Sequence, residues 1–120
     1  MAAPNIVNVA TITGKSAGLA VTTSATAIVT NAVSSGKVFK INSLIIANVN
    51  GTTAADITAD VYKNQTTAFR IAFTISVPAD ATLVLISKDT SIYLEENDSI
   101  RLTSSANSIL EALCSFEEIS

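Results

Sequence analysis

The chain of 120 residues has no histidine and no tryptophan, one cysteine, two prolines and four glycines. Without histidine it lacks both the commonest general base and the commonest metal ligand. Cys114 has no second cysteine in this sequence to bond with, and it lies in an apolar alternation that reads as a small buried hydrophobe. Aromatic residues make up only 5%. A core must therefore come from Ile, Leu, Val and Ala, and only Tyr62 and Tyr93 are candidate surface rings. Charged residues reach 14%, against roughly 25% in ordinary soluble domains. With a mean hydropathy of +0.46, this implies a surface partly covered by copies of the chain or by a larger assembly. A Ser/Thr-rich β surface is the plainer alternative. The seven basic residues are spread singly against a net charge of −3, so no stripe neutralises phosphates and nucleic acid is not expected as a partner. No apolar run approaches a membrane span, and the one at 44–47 is an ordinary strand interior. No basic start precedes an apolar segment, so synthesis and folding in a cytosol are expected.

What the chain does have is alternation. In Phe69-Arg70-Ile71-Ala72-Phe73-Thr74-Ile75-Ser76-Val77, every odd position is large and apolar and every even one polar or small. That period predicts a strand with one buried and one wet face, closed by Pro78. The core is expected around Phe69, Ile71, Phe73, Ile75, Leu83, Leu85, Ile100 and Phe116. Residues 37–48 predict a long strand whose apolar side changes at Asn42-Ser43, where a bulge is expected. Ile57, Ala59 and Val61 predict an inward face, with Thr58, Asp60 and Tyr62 outward. Residues 82–87 are apolar on both faces, as a central or interface strand would be. Ile92 and Leu94, an acidic turn, then Ile100 and Leu102 predict a short hairpin. Leu110, Ala112, Cys114 and Phe116 predict a final inward-facing strand, although Leu110, Leu113 and Phe116 also fit a helix. Regular short strands separated by turns predict an all-β antiparallel sandwich, a jelly roll or related Greek key. Residues 1–18 are either its first strand or an extended N-terminal arm adding to a neighbour's sheet. Residues 19–120 form the β-sandwich body. The partner-binding candidates on the arm are Pro4, Ile6, Val7, Val9 and Ile12.

No catalytic constellation is legible, and a non-enzymatic role without cofactor or metal is expected. Gly14-Lys15-Ser16 matches the end of a phosphate loop by chance, since the earlier glycine and the buried strand before it are missing. Glu95, Glu96 and Asp98 offer oxygen donors for calcium on one tight turn, but their spacing fits no calcium loop and a solvated turn around Asn97 is the expectation. Asp56 and Asp60, four apart, read as solvating groups.

Several runs carry a resemblance: Met1-Ala2-Ala3-Pro4-Asn5-Ile6-Val7-Asn8-Val9, Gly36-Lys37-Val38-Phe39-Lys40-Ile41-Asn42-Ser43-Leu44, Tyr93-Leu94-Glu95-Glu96-Asn97-Asp98-Ser99-Ile100 and Ser115-Phe116-Glu117-Glu118-Ile119. In these the chain resembles small virion structural proteins of tailed bacteriophages, particularly those of cyanobacteria (cyanophages). The resemblance implies a capsid decoration (cement) protein on the head shell. It also implies self-association, commonly as trimers, contact with the major capsid protein or other virion proteins through an N-terminal arm, and a place in the phage particle. A tail or fibre module touching the host surface or a glycan, through Tyr62 and Tyr93, is the alternative. A cellular lectin-like domain ranks last.

Overall fold

In a computed structural model that describes residues 10–120, the alternating segments become nine strands in two antiparallel sheets. They are β1 (Ile12–Ala20), β2 (Thr26–Thr30), β3 (Val38–Asn48), β4 (Ala55–Lys63), β5 (Thr67–Val77), β6 (Thr82–Ile86), β7 (Ile92–Leu94), β8 (Ser99–Ser104) and β9 (Leu110–Ile119). The first sheet runs β1-β9-β3-β6, and the second β2-β8-β4-β5. This interleaving, in which the chain passes between the sheets at every step except β4 to β5 and β6 to β7, is the jelly-roll order. β7 also pairs with β3, so that one side of β3 is occupied by β6 at Leu44 to Ala47 and by β7 at Phe39 to Ile41. The short 3₁₀ turn Lys88–Thr90 lies between these two strands in the chain.

The inner faces meet in one aliphatic core. Ile41, Leu44, Ile46, Leu94, Leu110 and Cys114 of the first sheet pack with Val29, Ile57, Ala59, Val77, Ile100 and Leu102 of the second, all buried. Two buried asparagines tie loops to that core. Asn31 donates to the Lys37 and Leu94 carbonyls at 2.9 and 3.1 Å. Asn48 donates to those of Thr53 and Val77 at 3.0 and 2.9 Å. Leaving such groups unpaired inside a protein costs about 1–3 kcal/mol each, so these bonds fix where the loops sit.

Several expectations hold in detail. The register of β3 against β9 shifts between Ile41 and Ser43, at the anticipated switch. Residues 110–119 are strand, with Leu110, Ala112, Cys114 and Phe116 buried. Of the segment 1–18, expected as either a first strand or an arm, residues 12–18 lie in β1 and pair with β9 of their own chain, while residues 1–9 lie outside the described residues.

Other expectations are corrected. Phe69, Phe73 and Ile75 are exposed, at 60%, 62% and 43%, whereas Ala72 and Val77 are buried. β5 is the edge of its sheet, and its pairing with β4 shifts on both sides of Ala59. The two shifts turn over only the stretch between them, so Phe73 points outward beside inward Ala72, while Phe69 opposite Val61 and Ile75 opposite Ile57 stay on the core side but at the open edge of the sheet. Ile71, Leu83 and Leu85 are half-buried against the core, while Ile100 and Phe116 lie in it. Ile92–Leu94 and Ser99–Ser104 are not a hairpin, because β7 joins the first sheet and β8 the second. The turn between them crosses from one sheet to the other.

Candidate functional site

Cross-strand partners share a face of a sheet, so the pairing register shows what the outer side of the first sheet presents. One row crosses four strands: Gly18 of β1 opposite Leu113 of β9, Leu113 opposite Ile45 of β3, and Ile45 opposite Val84 of β6. It points away from the core, because the flanking Ala112, Cys114, Leu44 and Ile46 are buried. Leu113 is 46% and Val84 58% exposed. The row on one side is Ala20, Glu111, Ala47 and Thr82, and the row on the other Ser16, Ser115 and Ser43. Beyond the serines come Gly14, Glu117, Lys40 and Tyr93.

This face is thus an apolar bar with small residues around it and few charges. Because Gly18 has no side chain and Ala20 and Ala47 have short ones, the bar sinks into a shallow groove of about 380 Å³ beside Leu113 and Ile45. A β-carbon placed on Gly18 would meet only the Ala112 carbonyl, at 3.8 Å. The groove therefore exists because the side chain is absent, and nothing forbids one there.

The outer side of the second sheet is different in kind. Arg101 reaches Asp60 with two hydrogen bonds, Nε to Oδ1 at 3.0 Å and a terminal nitrogen to Oδ2 at 3.3 Å. Its guanidinium lies 3.7 Å from the Tyr62 ring centre. Asp60, expected to be a solvating group, is instead buried under this pair. Tyr62, expected as a free surface ring, has one face covered by that cation. Tyr93 remains exposed. At the edge of this sheet Phe69, Phe73 and Ile75 are each exposed, and Arg70 stacks over Phe73 at 5.1 Å.

The charged clusters are structural fastenings. Asp98 accepts from the backbone N–H groups of Asn64 and Glu95 at 2.9 and 3.1 Å and from Lys63 at 2.6 Å. The acidic turn is thereby tied to the β4–β5 hairpin. The hydrogen bond with Asp98 is the main reason the Lys63 pKa is raised, against a smaller opposing effect of burial. At the far end of the first sheet, Glu118 bonds Lys15 and Lys37, both at 3.1 Å. Burial alone would raise the Glu118 pKa, but the two lysines together outweigh it and hold the carboxyl below its ordinary value. Burial pushes the Cys114 thiol up to about 12. Among the described residues no group of three His, Cys, Asp or Glu could hold a metal ion. Pro4, Ile6, Val7 and Val9 lie outside the described residues. Ile12 opens β1 opposite Ile119 and is exposed.

No family model matches the chain, and no curated protein matches it. Among solved structures it is similar to a protein of the Bacillus endospore appendages, described as a family of disulfide-linked pili. The TM-score is 0.54 at 16% identity, over 92% of this chain and 88% of the other. At that identity the likeness concerns the fold, a β-sandwich.

Proposed function

We propose that this chain is a non-catalytic structural module of a multi-copy particle, and specifically a decoration protein on the head shell of a tailed phage. The observation that carries the structural reading is the four-strand apolar row Gly18–Leu113–Ile45–Val84 on an otherwise charge-poor sheet face. Left wet, such a row has no use in a monomer. Covered, its area is removed from water at about 25 cal/mol per Å². Repetition by symmetry multiplies weak contacts of this kind, so a shell can be held without special chemistry. The head assignment rests on the sequence resemblance alone.

A second reading, a subunit of a fibre or appendage, is favoured by the likeness to the endospore pili. The disulfide links of those pili have no counterpart in this sequence, where the one cysteine is buried. Quantitative mass spectrometry of separated heads and tails from purified particles tests the choice. Hundreds of copies on heads support decoration, and a few dozen on tails support the fibre reading. Absence from both overturns the virion assignment.

A further inference from the structure

We propose that the outer face of the first sheet mates with the same face of a second copy, about a two-fold axis running along the strands between β9 and β3. The proposal rests on the reading of this face as an assembly surface, and it names the partner.

The face is complementary to itself. A half-turn about an axis parallel to the strands keeps each row opposite the same row of the other copy, but reverses its left-to-right order. β1 then lies opposite the partner's β6 and β7, and β9 opposite the partner's β3. In the apolar row, the Gly18 gap receives the partner's Val84, and Leu113 packs on the partner's Ile45. In the outermost row, Gly14 lies opposite the partner's Tyr93, and Glu117 opposite the partner's Lys40. Between them, Ser115 meets the partner's Ser43. Holes thus meet large side chains and the acid meets the base, each twice by symmetry. Glu111 meets the partner's Ala47, so no like charges are opposed. All these positions follow from the pairing register.

Packed sheets cross at about 30°. With the crossing centred on the serine row, rows about 7 Å away drift by about 3.5 Å, within reach of the Lys40 side chain. The face measures roughly 15 by 20 Å. That is small beside the ~800 Å² per partner of standard stable interfaces, so the dimer is expected to be reversible and dependent on concentration.

The test is sedimentation equilibrium of the full chain and of Lys40→Glu, Glu117→Lys and Gly18→Trp. Gly18→Trp fills the hole from outside the core and should fold yet remain monomeric. Each charge reversal alone opposes like charges twice and should weaken dimerisation about tenfold or more. An equimolar mixture of the two reversals pairs every Glu with a Lys, and should recover the dimer. If mixing restores nothing, the two-fold arrangement is wrong. A full chain that stays monomeric at all concentrations overturns the second copy as partner. In that case, loss of Gly18→Trp from particles would still support the assembly-surface reading, and its normal incorporation would overturn that reading too.

Discussion

Substitutions at the adjacent β5 residues Phe73 and Ala72 should have opposite severities, Phe73→Thr mild and Ala72→Asp disabling. Alternation makes Phe73 a core residue, whereas the structure leaves it 62% exposed with Ala72 beneath it at 5%. A fully buried phenylalanine hides about 200 Å², so a little over a third of that is about 75 Å² here. At about 25 cal/mol per Å² this is at most ~2 kcal/mol, less once residual structure in the unfolded chain is allowed for. Losing the exposed Arg70 stack adds about 0.5 kcal/mol, and threonine suits a strand. Phe73→Thr should therefore cost about 1–2 kcal/mol, lowering Tm by about 3–8 °C. Ala72→Asp places an unpaired carboxylate in the core at a cost of several kcal/mol. That is comparable with the whole 5–15 kcal/mol stability of a typical domain, so this variant should not fold. Urea unfolding followed by far-ultraviolet circular dichroism, at dilutions that keep the chain monomeric, reads both. A Phe73→Thr loss of the ~3–5 kcal/mol expected of a core phenylalanine, or a normally folded Ala72→Asp, would refute this placement of β5.

Asp98→Ala strips two backbone N–H groups and Lys63 of their acceptor. It should cost about 3 kcal/mol, read as a lowered urea midpoint, and a loss below 1 kcal/mol would contradict the fastening role. Glu118→Gln should lower stability by about 1 kcal/mol at pH 7, the lysines being partly solvated. Because the fold lowers the Glu118 pKa, that contribution is full above the ordinary glutamate range and disappears as pH falls through the lowered value. The gap between variant and parent should therefore close once pH has fallen below that lowered value. Native Cys114, buried with its pKa pushed up to about 12, should react with thiol reagents at pH 8 only as fast as the chain opens. Rapid labelling of the folded protein would place it elsewhere.

The sequence by itself determined the all-β class, most of the longer strands, the end of β5 at Pro78 and one irregularity. In β9, Leu110, Ala112, Cys114 and Phe116 alternate cleanly because that strand is flanked on both sides within its sheet and has only one face against the core. The Asn42-Ser43 switch was legible because a bulge must change the parity of the apolar residues around it. The absence of histidine and the scattered bases were equally plain in composition. Only the tertiary structure decided which apolar face is covered. Phe69, Phe73 and Ile75 carry the signature of burial, yet β5 lies at a sheet edge where shifts in register turn Phe73 over and the opposing sheet does not reach across the other two. Asp60 is buried only because Arg101, 41 residues away, arrives over it. The row Gly18–Leu113–Ile45–Val84 joins four strands from distant parts of the chain. Period-two patterning records that a strand has two faces, but a row across a sheet is set by the register between strands, and register is a property of the folded pairing.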